Sequence, residues 1–182
     1  MARLAINGFG RIGRIFFRQA FGEKGLDIVA INDIGGKENL AYLLKYDTVY
    51  GRYSKDIKIS GGNLSVDGKV VECLQIKEPA QLPWKSKKID IVVESMGVFE
   101  SYEKAKVHLD QGAKRVILTA PAKDEDGVAG GQTVLMGVND GELKTTVLTS
   151  NASCTTNAAS PVIQVMSETV GIKKAILNTV HG

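Results

Sequence analysis

The chain has 182 residues, 43% hydrophobic and 24% charged, with a formal net charge of +3. That length supports a real core, and the balance excludes both a disordered chain and a polycation built for nucleic acid. No apolar run approaches the ~20 residues of a membrane span, and Arg3, Asn7 and Arg11 interrupt the start, which argues against a secretory signal. In chain order, Arg3–Asn7 reads as an apolar strand, Arg11–Phe21 as a helix, Leu26–Asn32 as a strand and Lys37–Lys45 as a helix. Asp56–Ser60, Asn63–Val66 and Lys69–Gln75 read as antiparallel strands turned by Gly61-Gly62 and Asp67-Gly68. Cys73 falls in this strand pattern as a small buried residue. Lys85, Lys87 and Lys88, the densest basic cluster, read as a solvated loop, since no aromatic residues are interleaved. Strand Ile89–Glu94 and helix Tyr102–Gln111 follow. His108, among charged residues, reads as a surface side chain of that helix. Strand Arg115–Thr119, a polar glycine-rich loop over Lys123–Gly131, and strands Thr133–Val138 and Thr146–Thr149 complete an alternating pattern.

Strands alternating with helices predict an α/β doubly wound, mostly parallel sheet of Rossmann type, with ligands at the strand C-termini. The first strand–helix junction is specific. Gly8-Phe9-Gly10-Arg11-Ile12-Gly13 follows a strand and opens a helix, the context a dinucleotide fingerprint requires. Gly8 permits a tight turn, Gly10 lets backbone approach a pyrophosphate, and Gly13 lets helix pack on strand. The free N–H groups of Arg11 and Ile12 then face an anion. Asp33 ends the second strand, where an acid accepts from both ribose hydroxyls and repels a 2′-phosphate, so NAD is expected over NADP. Ile34, bulky and apolar, suits a ribose without that phosphate.

The second chemical signal is Ser-Asn-Ala-Ser-Cys-Thr-Thr-Asn at 150–157, with His181 downstream. Asn151 and Ser153 are capping types, and Thr155–Glu168 reads as a helix. Cys154 therefore stands at a helix N-terminus, where unsatisfied N–H groups favour a thiolate. The helix runs outward for roughly 22–24 Å at ~1.5 Å per residue. Lys173–Val180 reads as a strand returning roughly 26 Å at ~3.3 Å per residue, which brings the His181 imidazole back to the thiol as a base. A buried inert cysteine and an unrelated histidine stay open as the alternative on spacing alone. The two cysteines, Cys73 and Cys154, form neither a metal-ligand spacing nor a disulfide framework, and a free thiol suits a reducing cytoplasm. The organisation expected is a dinucleotide-binding domain over 1–150 and, over 151–182, the first helix and strand of a second α+β domain.

INGFGRIGR (6–14), AIND (30–33), LLKYD (43–47), GAKRVILTAP (112–121), MGVN (136–139), SNASCTTN (150–157) and TVH (179–181) span the chain. With Glu94-Ser95 and Gly97-Val98-Phe99, they make it resemble the N-terminal part of the phosphorylating glyceraldehyde-3-phosphate dehydrogenases. The resemblance implies NAD-dependent oxidation of a phosphorylated aldehyde through a thioester on Cys154, with inorganic phosphate as second substrate and His181 as base. It implies that Ser95, Gly97 and Phe99 line the adenosine side, although Phe99 equally fits plain core. It places Thr119 near the nicotinamide ribose, and Ser153 and Thr155 beside the attacking phosphate. A cytoplasmic homotetramer is implied for the complete protein, with no metal, nucleic acid or membrane partner. Met96 departs from the family's usual Thr, and Ala158 from a frequent second cysteine. Family members continue into a domain that grips substrate, so this piece alone is expected to bind NAD while sustaining little turnover. A non-catalytic NAD-binding module and a dehydrogenase of another phosphorylated aldehyde, such as erythrose 4-phosphate, are the alternatives.

Overall fold

A computed structural model describes residues 1–180. Its centre is a sheet in the order β3-β4-β5-β2-β1-β6-β7-β9-β8. The strands are β1 (Ala2–Asn7), β2 (Leu26–Asn32), β3 (Ile57–Ser60), β4 (Asn63–Val66), β5 (Lys69–Leu74), β6 (Ile91–Glu94), β7 (Arg115–Leu118), β8 (Gly131–Thr133) and β9 (Leu148–Ser150). The β3–β4 and β4–β5 pairs are antiparallel and the other pairs parallel. The mostly parallel α/β sheet expected from the alternation is thus present. β1 lies between β2 and β6, so the strand order reverses direction beside it, the place where such sheets leave a crevice.

The near-continuous apolar strands are explained by cover on both faces. On one face, helices α1 (Arg11–Ala20) and α2 (Lys37–Lys45) pack through Phe17, Ala20, Leu40 and Leu44 onto Leu4, Ile6, Ile28 and Ile31. α1 buries Gly13, Phe17 and Ala20 along one helical stripe, and Phe17 meets Phe9 edge to face at 5.5 Å. On the other face, Trp84 and Tyr102 are fully buried against Ala5, Ala30, Val92 and Val116. The expected helix at 102–111 forms as two short turns of helix, α3 (Tyr102–Ala105) and α4 (Val107–Asp110), meeting at Lys106.

Three expectations fail for physical reasons. The strand expected at Thr133–Val138 stops at Thr133, because the Asn139 side chain takes over the local backbone. Its Oδ1 accepts from Leu135 N at 2.8 Å and its Nδ2 donates to Thr133 O at 2.9 Å, an alternative to ladder pairing. Lys173–Val180 is irregular and largely exposed rather than a strand. Among the described residues no strand pairs with it, and an unpaired segment has nothing to complete its hydrogen bonds except water. His108 is not a surface residue; it is 0% exposed. The charged neighbours in sequence point outward while His108 turns under Trp84, donor and acceptor both engaged.

Gly131, in β8, tests the packing. A Cβ there would lie 2.2 Å from Tyr102 Cγ, and Tyr102 has no room to move, its hydroxyl being held by Asp126 and Thr133. Gly131→Ala should destabilise the chain by about 1–3 kcal/mol, the usual cost of overpacking. Urea unfolding of the two proteins side by side reads the difference.

Candidate active site

The turn after β1 is built by three glycines with different tasks. Gly8 has φ +92°, and its ideal Cβ would lie 2.6 Å from Met96 N, so a side chain is excluded by conformation and by space. Gly13 has an ordinary φ, but its Cβ would lie 2.2 Å from Gly8 O; the helix sits directly on the turn. Nothing lies within 4 Å of a Cβ at Gly10, the open position. α1 has no side-chain cap and no acidic residue in its first turn. Among the described residues the N–H groups of Arg11, Ile12 and Gly13 have no acceptor, since the first intrahelical bond is Arg14 N to Gly10 O. An open backbone face with unsatisfied donors at a helix N-terminus fits the pyrophosphate of a dinucleotide.

Asp33 stands beside that turn. Its Oδ2 accepts from Phe9 N at 2.7 Å and its Oδ1 from Gly35 N at 2.8 Å. A carboxylate offers about four acceptor directions, so each oxygen retains capacity for a further hydrogen bond. Ser95 donates from Oγ to Gly8 O at 2.8 Å, locking the turn after β6 to the turn after β1. Gly97 is exposed, with φ +72°. Phe99 is half-buried, its ring 6.0 Å from that of His108. Thr119 is anchored by its N–H and its Oγ1 to Glu94 O at 3.0 and 3.1 Å. Ile34 is 62% exposed.

After β9, three strands from β1 in the sheet, α5 (Cys154–Thr169) begins. Ser153 caps it, its Oγ accepting from Thr156 N at 3.0 Å. Asn157 Nδ2 donates to Asn151 O at 2.7 Å and to Ser153 O at 2.9 Å, tying the helix to the loop before it. Ala152 adopts φ +56°, a left-handed conformation costing an L-residue about 1–2 kcal/mol. It is held there by Ser150 Oγ, which accepts from Ala152 N at 3.0 Å and donates to Ala120 O at 2.8 Å. The result is an exposed Cys154 in the first helical turn. Its own N–H and that of Thr155 have no acceptor among the described residues.

A cleft of about 410 Å³ is lined by Ile12, Tyr50, Thr119, Asn151, Ser153 and Cys154. The glycine turn's helix and the cysteine thus open onto one space. Tyr50 reaches it through Asp47, whose Oδ1 accepts from Val49 N and Tyr50 N and whose Oδ2 pairs with Arg11 at 2.9 Å. Those bonds bring the Asp47 carboxyl down to about 2. Thr155 faces away, into a hollow of about 450 Å³ shared by Cys154 and residues 177–180. The tail therefore passes beside Cys154 without being a strand; the expectation for His181 lies outside the described residues. Residues that sequence reasoning missed are Glu94, Trp84, Asn7 and Asn32, a buried polar group under the cleft, together with Asp47 and Ser150. For Asn7, Asn32, Glu94 and Ser150 the signal was a polar residue closing an apolar strand, as in LAIN, IVAIN and IVVE; Trp84 and Asp47 close no strand.

Cys154 is exposed, whereas Cys73 is buried and burial pushes its thiol up. Limited iodoacetamide labelling near neutral pH should therefore modify Cys154 first, as read by mass spectrometry. Faster labelling of Cys73 in folded protein would contradict this placement.

Residues 2–102 match the family described as glyceraldehyde 3-phosphate dehydrogenase, NAD binding domain. The chain is 48% identical over 181 residues to glyceraldehyde-3-phosphate dehydrogenase 2 of Bacillus subtilis (strain 168), covering 98% of the chain and 52% of the relative. It is 47% identical to the Thermotoga maritima glyceraldehyde-3-phosphate dehydrogenase, covering 100% and 54%. It is 42% identical to glyceraldehyde-3-phosphate dehydrogenase 1 of Kluyveromyces lactis, again covering 100% and 54%. The chain spans about half the length of the curated relatives it matches. Glycine turn, acidic strand end and helix-capped cysteine thus stand in a chain whose first half matches that family's cofactor domain: the chain belongs to the glyceraldehyde-3-phosphate dehydrogenase family and carries its NAD-binding domain.

Proposed function

We propose that the chain supplies the cofactor site and the nucleophile of an NAD-dependent, phosphorylating glyceraldehyde-3-phosphate dehydrogenase. The reaction is oxidation of glyceraldehyde 3-phosphate to 1,3-bisphosphoglycerate. The observation that carries this reading is the shared cleft, in which Ile12 and Thr119 of the cofactor side face Cys154. Gly8, Gly10, Arg11, Ile12 and Gly13 would hold the pyrophosphate, Asp33 the adenosine ribose, Ser95, Gly97 and Phe99 the adenosine side, and Thr119 the second ribose. When bound, NAD supplies the hydride acceptor.

Cys154 attacks the aldehyde carbon as a thiolate, forming a thiohemiacetal. Its own N–H, in the first turn of α5 and without an acceptor among the described residues, would stabilise the oxyanion. His181 takes the hydroxyl proton as hydride departs, leaving a thioester on Cys154. Phosphate attacks the thioester, releasing the acyl phosphate and restoring the thiolate; Ser153 would flank Cys154 on the cleft side and Thr155 on the side of the hollow. The boundary proposed between cofactor and catalytic parts, 150/151, is supported by β9 ending at Ser150 and by α5 burying none of its residues. A reducing cytoplasm is proposed from the free exposed thiol, and no helix among the described residues is long and apolar enough to cross a membrane. The homotetramer proposed for the whole protein rests on the family resemblance.

Titration with both cofactors should show tighter binding of NAD than NADP, and Asp33→Ala should narrow the gap; equal or better NADP binding by the unaltered chain would refute the Asp33 reading. NADH formation from glyceraldehyde 3-phosphate, NAD and phosphate tests the nucleophile. Any turnover should vanish in Cys154→Ser, and for this chain it should stay well below the ~1 per second of slow enzymes, because the groups that orient substrate account for ~7–11 kcal/mol in well-positioned systems.

A further inference from the structure

A buried hydrogen-bonded belt runs beneath the two turns that form the cofactor cradle. Glu94, 3% exposed, closes β6. Its Oε2 accepts from Asn7 Nδ2 at 2.6 Å and stands 2.8 Å from His108 Nε2, while its Oε1 accepts from Met96 N at 2.8 Å. Trp84 Nε1 lies 3.0 Å from His108 Nδ1. An indole N–H can only donate, so Nδ1 is the acceptor and Nε2 carries the hydrogen given to Glu94. The tautomer is set by a neighbour in a pocket where Trp84 and His108 are both 0% exposed. On the far side, Asn32 Nδ2 donates to Asn7 Oδ1 at 2.7 Å, and Asn32 holds Ile76 by both its N–H and its carbonyl. The belt crosses from α4 through β6 and β1 to β2.

Burying a carboxylate is costly, and well-packed apolar residues generally stabilise a core at least as well. Among the described residues no Lys or Arg pairs with Glu94. What distinguishes this carboxylate is where it ends: one oxygen fixes the N–H of Met96, and the Met96 backbone is the surface that Gly8 is pressed against. Asn7 Nδ2 also reaches Met96 Sδ at 3.2 Å, so Glu94 and Asn7 grip the same residue from two directions. A displacement of the Glu94 carboxylate therefore moves the turn at Met96 and Gly97, and with it the Gly8 turn.

We propose that His108 is a positioning residue for the cofactor: by holding Glu94 it sets the turns at Gly8 and Met96 in the geometry that accepts a dinucleotide. The proposal rests on the NAD reading above. The test is NAD affinity together with melting temperature for the unaltered chain, His108→Gln and His108→Leu. The Gln amide can still donate to Glu94, and its affinity should stay close to that of the unaltered chain. Leu cannot donate, and folded His108→Leu should bind NAD about tenfold more weakly, the equivalent of ~1.4 kcal/mol. Equal affinity of folded His108→Leu and the unaltered chain would overturn the proposal.

Ring ¹⁵N resonances provide a second route that needs no destabilised variant. The chain has two histidines, and His181→Asn assigns them. The His108 ring should carry its hydrogen on Nε2, and its signals should move when NAD saturates the unaltered chain. Saturation without movement, or a hydrogen on Nδ1, overturns the proposal while leaving the cofactor reading intact. Failure of the unaltered chain to bind NAD refutes the cofactor reading and the proposal with it.

Discussion

The backbones of Gly8 and Met96 lie so close that no side chain fits between them, and the rest of the site is arranged around that approach. It sets the ends of β1 and β6 at one level. α1 can then start immediately above, with Gly13 seated on the Gly8 carbonyl, and the first-turn N–H groups face outward. From β1 the sheet steps through β6 and β7 to β9, and α5 follows β9. At about 4.8 Å per strand, three steps separate the glycine turn from the cysteine loop by roughly 14 Å. The separation of glycine turn and cysteine is therefore a property of the sheet, not of the loops that carry them.

The loops supply local precision. Ala152 stays in a left-handed conformation because Ser150, buried at the end of β9, accepts from its N–H while donating to Ala120 O. Such strain persists only where the surroundings over-determine it, and it tends to gather at functional positions. Ser153 and Asn157 then fix the first turn of α5, while the remainder of that helix carries Val162, Ile163, Val165 and Met166 in the open. The N-terminal turn of the helix is anchored to the loop after β9, and the rest of it buries no residue among those described.

Local rules were enough for elements whose partners are near in sequence or whose glycines admit one explanation. Strand Leu26–Asn32, helix Lys37–Lys45, the glycine turn and the cap at Ser153 all declare themselves within a few residues. The failures share a different cause. His108 reads as exposed because its neighbours are charged, yet burial was decided by Trp84 and Glu94, 24 and 14 residues away. Thr133–Val138 alternates acceptably for a strand, but Asn139 competes for the same backbone groups. Lys173–Val180 has strand composition, and composition cannot provide a neighbouring edge. The Cys154 helix and the tail's return beside Cys154 were legible, whereas the tail's irregular conformation was not, because a strand depends on a neighbouring edge.

The position of β1 in the middle of the sheet has a consequence during synthesis. Its register with β6 joins residues such as Asn7 and Glu94, 87 positions apart. When β1, α1 and β2 have left the ribosome, the glycine turn exists as sequence but has nothing to press against. Only after β6 emerges can Glu94 reach Asn7 and Met96 reach Gly8. Non-local pairing of this kind is slow and leaves strand edges open in the interim. A nascent chain halted before residue 94 would thus expose a half-sheet with the fingerprint present and the anion cradle unformed, a state for chaperones rather than for cofactor.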